Sequence, residues 1–342
     1  ITTTTLSSSQ IAKIELKKFN NIQHRFMPLD VSYLIEKFLV LWKPEKIFLV
    51  DSEIWPNLIL KAREHKIPIA LINARLTKKS YERWFSFLST SKKIFSIFDL
   101  CLCANEETKN FLKKLEAKNI KYFGNIKLIN EINKNNYNNK NSQMLSKIRF
   151  WFAASTHKEE DIFCLNTHIQ LKKQFSDIIT IIAPRHINRV RKIKLLAEKL
   201  SLKAQIISHN DLINKDFEII IIDSFGVLNF YYKYAKSVFI GKSIIKRLKN
   251  DGGQNPIDAA NFNCKIYHGP YVSNFFEIYE ILKKNNISKE IKNYSELSKN
   301  LLQDLNNYQK KINNNSNIIK NLGEEVLINT SKSLESFLYD KV

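Results

Sequence analysis

The sequence predicts an α/β protein built from two doubly wound, parallel-sheet domains. Short apolar segments alternate with helical patterns along most of the 342 residues. Such segments, buried on both faces and joined by helices, are typical of parallel sheets. The alternation is interrupted once, by a polar, Asn-rich stretch at 130–142, and then restarts. A chain of this length can form two domains, each with a core of its own.

The first half of the chain contains four apolar segments that we interpret as strands. They lie at 46–51, 68–74, 100–104 and 120–124. A helix is predicted at 105–117, because Asn105 is a favourable N-cap and Glu106 and Glu107 suit the positive end of a helix dipole. The opening ITTTTLSSSQIAKIEL combines a short β-like start, a polar segment and a helical pattern. It predicts that residues 1–129 form a first domain that is incomplete at its N-terminus.

A linker is predicted at 130–146, where the residues are polar and lack periodicity. Residues 147–342 then form the second domain, which ends in helical segments at 295–313 and 317–341. Six apolar segments predict its strands. They lie at 150–155, 178–184, 204–208, 217–223, 237–241 and 265–269. A ligand cleft between two such domains is the expected arrangement.

Composition narrows the classes of function. The net charge of +21 would attract nucleic acid, an anionic membrane surface or an anionic substrate, and a solvated Lys-rich surface is the alternative. No basic block stands beside an aromatic array, so no nucleic acid partner is predicted. The four Cys lack a metal-binding spacing and are predicted to be reduced core residues, which favours the cytoplasm. No apolar run approaches the ~18 residues of a membrane-spanning helix.

The segment DGGQNPIDAA at 251–260 is the most informative local pattern. The chain has only 7 Gly, yet two are adjacent here, just after the predicted strand SVFIG. Asn255 as N-cap and Pro256 in the first turn predict a helix start. A glycine pair that leads into a helix N-terminus at the carboxyl end of a strand is typical of phosphate sites, and Asp258 could accept a hydrogen bond from a sugar hydroxyl. A plain loop before a capped helix is the alternative.

Three further loops follow predicted strands of the second domain. The loop STHKEE at 155–160 has a helix-capping signature. Arg185 supplies a guanidinium that can hold a phosphate or carboxylate, and the loop at 223–226 ends in Gly. Because parallel strands end at the same edge of a sheet, these loops together predict a nucleotide site. The two histidines in the loops, His157 and His186, are assigned no catalytic role.

Charged residues also follow the strands of the first half. Glu53 in DSEIWPN is a candidate charged group at the cleft, or else a carboxylate at a helix entry. Arg75 and Lys127 follow two further strands and are predicted at the same edge, where cations suit anionic chemistry. The aromatic and basic segment at 81–98 predicts either a membrane-contacting surface or an amphipathic helix that faces the core.

With these residues in view, the chain resembles the 3-deoxy-D-manno-octulosonic acid (Kdo) transferases of Gram-negative lipopolysaccharide synthesis. The matching stretches are, in order, DSEIWPNL, NARLTKKSYERW, GNIK, AASTHKEED, APRH, GGQNPIDAA and GPYVSNF. The resemblance implies a GT-B glycosyltransferase with two Rossmann-like domains facing a cleft. It implies CMP-Kdo as donor, a lipid A precursor (lipid IVA) as acceptor, inversion, and neither metal nor cofactor. It also implies the cytoplasmic face of the bacterial inner membrane, with peripheral attachment or an anchor in a segment missing here.

The resemblance assigns roles to individual residues. The positions that match CMP contacts are Pro184 and Arg185; Phe225, Gly226 and Val227; and Asn255, Pro256, Ile257 and Asp258. Glu53 and Lys127 match positions that stabilise the transition state. The chain departs from the family at Val227 and Asp258, where Glu is usual, so one polar contact is lost and one acid is shortened. The family's general base, a Glu in a Gly-rich loop, would lie upstream of Ile1.

Two alternatives stay open. The chain could be a non-catalytic or decayed paralogue that binds a nucleotide or an anionic lipid without the general base. It could also be a GT-B transferase that uses another nucleotide-sugar donor.

Overall fold

The computed structural model describes residues 1–129, 139–208, 211–306 and 315–339. Contacts divide the chain into two compact units. The first unit comprises Ile1–Leu76, Ser80–Asn125 and Asn329–Val342, and the second comprises Thr77–Lys79 and Ile126–Ile328. Parts of three predicted segments lie outside the described residues, namely 130–138 of the linker and 307–313 and 340–341 of the terminal helices.

The first unit contains two parallel sheets. Its strands are β1 (Thr2–Thr3), β2 (Arg25–Phe26), β3 (Ile47–Val50), β4 (Ile69–Ala74), β5 (Leu100–Cys103) and β6 (Ile120–Tyr122). β1 pairs with β2, and the other four form a sheet in the order β3-β4-β5-β6. The four apolar segments predicted as strands are therefore confirmed. β2 was not predicted, because two residues carry no periodicity.

Six helices lie between these strands. They are α1 (Leu6–Glu15), α2 (Ser32–Trp42), α3 (Pro56–Glu64), α4 (Lys78–Phe85), α5 (Leu88–Phe95) and α6 (Glu106–Lys114). The predicted cap of α6 is confirmed, since the side chain of Asn105 accepts a hydrogen bond from the Thr108 N–H at 2.8 Å. Alternate residues of β3 face opposite sides of the sheet. Leu49 is buried in a core with residues of α2 and α3, whereas Phe48 contacts Phe337 on the other face, with ring centroids 5.5 Å apart.

The second unit contains one seven-stranded sheet in which every pair is parallel. Its strands are β7 (Phe150–Thr156), β8 (Ile179–Pro184), β9 (Ala204–Ile207), β10 (Ile219–Ile222), β11 (Ser237–Ile240), β12 (Lys265–His268) and β13 (Ser288–Glu290). The order across the sheet is β13-β12-β11-β7-β8-β10-β9. After β7, the chain forms β8, β9 and β10 on one side of that strand. It then continues with β11 on the other side of β7. The boundary between β7 and β11 is therefore the topological switch point, where doubly wound sheets bind ligands.

Helices cover both faces of this sheet. They are α7 (Ser142–Leu145), α8 (Glu160–Lys172), α9 (Val190–Lys199), α10 (Leu228–Tyr234), α11 (Ile257–Asn261), α12 (Phe276–Lys284), α13 (Tyr294–Asn306) and α14 (Asn315–Tyr339). Neighbouring strand residues enter separate cores, Phe152 on one face and Trp151 on the other. None of the helices in the described ranges is long and apolar enough to cross a membrane.

The last helix, α14, does not lie wholly within the predicted second domain. Residues 147–342 were assigned to one domain, but the chain from Asn329 onward packs with the first unit. Phe337 joins a core there with Ala70 and Leu100. An amphipathic pattern identifies the apolar face of a helix and does not identify the sheet that this face covers.

The four cysteines are buried and form no disulfide with one another, as predicted for reduced core residues. Cys101 and Cys103 lie two residues apart on β5, so both face the same core. Burial raises the pKa of the Cys103 thiol to about 12. These thiols are therefore protonated and serve as small apolar side chains.

Candidate functional site

The predicted nucleotide loops lie together along one edge of the second unit's sheet. All seven strands are parallel, so the segments after β7, β8, β10 and β11 leave the sheet at its carboxyl edge. The segments after β7 and β11 flank the switch point, and those after β8 and β10 follow along the same edge. This clustering was predicted from the sequence, and the strand order confirms it.

A buried carboxylate joins the two segments at the switch point. Glu160, the first residue of α8, is fully buried. Its Oε2 accepts hydrogen bonds from the His157 N–H at 2.9 Å and the Lys242 N–H at 2.7 Å. Its Oε1 accepts from the N–H groups of Ser243 at 2.9 Å and Ile244 at 3.2 Å. Burial raises the pKa of Glu160, and the four N–H donors act in the opposite direction. The side chain thus holds the segment after β11 against the start of α8.

The capping signature at 155–160 predicted part of this arrangement. Glu160 reaches back to the N–H of His157 as a capping acid does. The N-cap itself is Glu159, with φ of 83°, and its side chain makes no cap hydrogen bond. Ser155 and Lys242 also have positive φ, of 56° and 59°. Non-glycine residues rarely adopt this conformation, and they persist where the surrounding contacts over-determine it.

The glycine pair has a structural reason that the sequence did not reveal. A Cβ on Gly252 would lie 2.2 Å from the Tyr271 carbonyl oxygen, and Gly253 has φ of +90°. The Asn274 side chain donates to the Asp251 carbonyl oxygen at 2.9 Å, which ties the same two segments together. The close approach that requires these glycines is therefore made by the chain's own backbone.

The helix after the glycine pair begins one residue later than predicted. α11 starts at Ile257 with Pro256 as N-cap, so the prediction of Asn255 as N-cap is wrong. Asn255 Oδ1 nevertheless accepts a hydrogen bond from the Ile257 N–H at 3.0 Å. An Asn side chain commonly bonds to the backbone two residues on, and the Pro between them has no N–H to offer. Asp258 lies half-buried in the first turn of α11.

The segments after β8 and β10 present one cation and one aromatic ring. Pro184 ends β8 and is buried, while the Arg185 N–H bonds to the Thr156 carbonyl oxygen at 2.9 Å and the residue as a whole is exposed. Phe225 is 65% exposed, and Val227 packs in the core at the start of α10.

Two further groups near the switch point were not predicted. Burial lowers the pKa of His157 to about 4, and the neighbouring side chains of Lys242, His186 and Arg189 lower it further. The Nδ1 of His157 lies 3.2 Å from the Ser155 carbonyl oxygen, so a neutral ring donates there. Arg189 forms an ion pair with the buried Asp161. Short loops of this kind carry no sequence signal that separates a half-buried histidine from an exposed one.

The candidate residues of the first half fall in both units. Glu53 follows β3, is exposed, and accepts a hydrogen bond from Trp55 Nε1 at 2.8 Å. Arg75 follows β4, and its carbonyl oxygen accepts from the Ser52 hydroxyl at 2.7 Å, so the segments after β3 and β4 are joined. Lys127 was predicted at the same sheet edge as Arg75. It follows β6 of that parallel sheet and lies in a single turn, Ile126–Ile129, whose contacts group it with the second unit.

Comparisons with known proteins identify the family. A family model described as 3-deoxy-D-manno-octulosonic-acid transferase (kdotransferase) matches residues 1–130. A 3-deoxy-D-manno-octulosonic acid transferase of Rickettsia bellii is 31% identical over 301 residues, which are 87% of this chain and 70% of the relative. This chain belongs to the Kdo transferase family. Another relative of the same description, from Rickettsia typhi, is 32% identical over 90% of this chain. The chain spans 65% of that relative's length.

Solved structures confirm the GT-B type of fold for this Kdo transferase family member. A glycosyltransferase from Rickettsia africae has a TM-score of 0.61 and 10% identity, over 96% of this chain and 88% of that one. A UDP-GlcNAc 2-epimerase from Methanocaldococcus jannaschii has a TM-score of 0.58 and 16% identity, over 94% and 90% of the two chains. At these identities the likeness concerns the fold alone.

Proposed function

We propose that this chain is a Kdo transferase that binds CMP-Kdo in its second unit and transfers Kdo to a lipid A precursor, lipid IVA. The observation that carries the proposal is the position of the three segments that resemble CMP contacts. They follow β8, β10 and β11 at one carboxyl edge, on either side of β7 and the switch point. The three segments were selected only by their resemblance to family sequences. In the fold they follow strands that end at the same edge of one sheet.

Each segment supplies chemistry that suits a cytidine nucleotide. The guanidinium of Arg185 can hold the phosphate with two parallel hydrogen bonds. The exposed ring of Phe225 offers a face on which a base can stack. Asp258 in the first turn of α11 can accept a hydrogen bond from a sugar hydroxyl. These roles leave Val227 as a packing residue, since it faces the core.

The reaction we propose is an inverting, metal-independent transfer. A general base removes the proton from the acceptor's sugar hydroxyl, and the oxygen attacks the anomeric carbon of Kdo as the bond to the CMP phosphate breaks. Glu53 and Lys127 stabilise the charges that develop in the transition state. No residue of this chain is assigned as the general base.

The test is calorimetric titration of CMP into the wild-type chain and Arg185→Ala, with Arg191→Ala as the matched control. Arg191 is an exposed arginine on α9 of the same unit. Charge-assisted hydrogen bonds contribute about 1.5–3 kcal/mol, so Arg185→Ala should weaken CMP binding by roughly tenfold or more, and Arg191→Ala should not. CMP should bind more tightly than UDP. Preference for UDP would favour another nucleotide-sugar donor, and no binding of either would contradict the proposal.

A second candidate is a decayed paralogue that binds without catalysis. It is favoured by Val227, which is buried where the family usually carries Glu. Single-turnover assay with CMP-Kdo and lipid IVA separates the two functions. The paralogue would be favoured if this chain binds the nucleotide but transfers no Kdo, while a relative that carries the base is active under the same conditions.

We further propose that an anionic membrane surface is a partner, on the cytoplasmic face of the inner membrane. The aromatic segment at 81–98 mostly faces the core. The ring of Tyr81 stacks on that of Phe111, with centroids 4.2 Å apart, and Phe95 is buried. Phe85 and Phe87 are the exceptions, and Phe87 is the more exposed of the two, at 74% against 49%. Phe87→Ser should lower co-sedimentation with phosphatidylglycerol vesicles severalfold, whereas Phe225→Ser in the second unit should leave it unchanged. Equal binding of all three proteins would exclude this surface.

A further inference from the structure

Lys127 lies on a turn whose main chain is held by its neighbours. Leu128 is buried in a core of the second unit, and Ile126 and Ile129 pack against the same core. The main chain of α14 passes close by, since a Cβ on Gly323 would lie 2.5 Å from the Leu128 carbonyl oxygen. With the main chain fixed, the position of the Lys127 ammonium group depends on the rotamers of its own side chain.

An aromatic ring lies next to this ammonium group. The Lys127 Nζ is 5.9 Å from the centroid of the Phe275 ring, which is within the range of a cation–π contact. Phe275 is half-buried and packs against the same core as the turn. A lysine side chain is long and flexible, and it loses much of its freedom when it is held in one place. The ring face favours one position of the ammonium group over the others that the side chain can adopt.

The segment that carries Phe275 is bound to the loop with the glycine pair. The Asn274 N–H, directly before Phe275, donates to the Gly252 carbonyl oxygen at 2.9 Å. On α12, the Tyr279 hydroxyl donates to the Gln254 carbonyl oxygen at 3.0 Å. Gln254 is the residue before the third segment that resembles CMP contacts. The aromatic ring beside Lys127 is therefore connected through hydrogen bonds to the proposed nucleotide site.

We propose that Phe275 is a positioning residue that holds the Lys127 ammonium group at the phosphate of the leaving nucleotide. This inference rests on the proposed function, in which CMP-Kdo binds in the second unit. Both residues belong to that unit, so the charge of Lys127 acts on the donor. The alternative is that Phe275 only packs its own segment against the core.

The chemistry of the leaving group explains why the position of this cation matters. During transfer the acceptor oxygen bonds to the anomeric carbon of Kdo, and the bond from that carbon to the phosphate oxygen breaks. The phosphate oxygen keeps the bonding electrons, so free CMP carries more negative charge than the diester in CMP-Kdo. A cation held at this oxygen stabilises the transition state more than it stabilises the bound donor. The affinity for CMP therefore reports this contact without any turnover.

The test measures the binding of CMP and of cytidine by calorimetry. The proteins are the wild-type chain, Phe275→Leu, Lys127→Ala and the variant with both substitutions. A cation–π contact changes an equilibrium by about two- to fivefold, so Phe275→Leu should weaken CMP binding by that factor. Lys127→Ala should weaken it at least as much, and the double variant should lose no more than Lys127→Ala alone. Cytidine has no phosphate, so all four proteins should bind it equally.

Two further variants separate positioning from packing. Phe275→Tyr keeps the ring face and should bind CMP as the wild type does. Phe175→Leu is the matched control, because Phe175 is also half-buried and its ring centroid lies 4.2 Å from the guanidinium carbon of Arg149. Arg149 directly precedes β7, at the amino edge of the same sheet. Phe175→Leu should lower the melting temperature and leave the affinity for CMP unchanged.

Three outcomes would overturn the inference. The first is that Phe275→Leu weakens cytidine and CMP by the same factor, which makes Phe275 a packing residue of the loop. The second is that the losses of the two single variants multiply in the double variant, so that the two residues act independently. The third is equal affinity of all four proteins for CMP.

Arg185→Ala separates these outcomes from a failure of the proposed function. If Arg185→Ala weakens CMP binding while one of the three outcomes is found, the nucleotide site stands and only the role of Phe275 is wrong. If the wild-type chain binds no CMP, both the proposed function and the role of Phe275 are wrong.

Discussion

The two units of this protein differ in how continuous their parallel sheets are. In the second unit, seven strands are covered on both faces by two apolar cores. In the first unit, four strands stand apart from a two-stranded sheet, and a cavity lies between β1 and β3. We therefore expect the continuous sheet of the second unit, which also holds the proposed nucleotide site, to be the more stable of the two.

The largest effect is expected when a phenylalanine on one strand of each unit is replaced by alanine. Phe152 on β7 is fully buried, and Phe48 on β3 is partly exposed. Phe152→Ala should lower the free energy of unfolding of the second unit by about 3–5 kcal/mol, because it opens a cavity in a packed core. Phe48→Ala should cost less than about 1.5 kcal/mol, since much of its surface is already in water. Denaturant unfolding measures both values, and equal costs would contradict the difference between the sheets.

A smaller effect is expected where the second unit holds its own loops. Glu160→Gln turns one of the two acceptor oxygens into an NH2 group that faces main-chain N–H donors. Leaving buried donors unsatisfied costs about 1–3 kcal/mol. We expect lower stability, and we expect weaker CMP binding because the segment after β11 is released.

The matched control for this substitution is Glu198→Gln. Glu198 is an exposed residue of α9 that pairs with Lys194 at 3.7 Å. Its replacement should change neither stability nor CMP binding. If the Glu160→Gln protein were as stable as this control, the Glu160 carboxylate would not be what holds the segment after β11 in place.

The smallest effect is a pH dependence that belongs to the second unit. Burial lowers the pKa of His157 to about 4 in the folded protein, from an ordinary value near 6.5. Between these values the unfolded chain binds the proton and the folded chain does not, so stability falls as the pH drops from about 6.5 towards 4. His157→Gln removes this contribution. Melting temperatures at pH 7 and pH 5 should therefore differ less in the variant than in the wild type, and equal differences would contradict the assignment.

The central strands of the four-stranded and seven-stranded sheets were predicted well from the sequence. Segments such as FWFAAS and ITIIAP are apolar on both faces and short, so only a buried parallel strand fits them. It missed β13 (Ser288–Glu290), because an edge strand of three residues can be polar. The common edge of the nucleotide loops followed from the parallel sheet, and the strand order bore it out.

Other features depended on contacts between distant residues. The role of Glu160 requires the N–H groups of residues 242–244, more than 80 positions away. Likewise, nothing in the pair Gly252-Gly253 shows that the Tyr271 carbonyl approaches it. The assignment of Lys127 to the second unit and the cavity between β1 and β3 also follow only from the assembled fold.

Amide exchange of the whole chain, with and without saturating CMP, is the most direct test of the central claim that the second unit alone carries the donor site. We expect slower exchange in the segments after β8, β10 and β11 when CMP is bound. The main-chain amides of Phe48 and Val50 on β3 should exchange rapidly with or without the nucleotide. Protection confined to the first unit, or no change in the three segments while CMP binds, would contradict it.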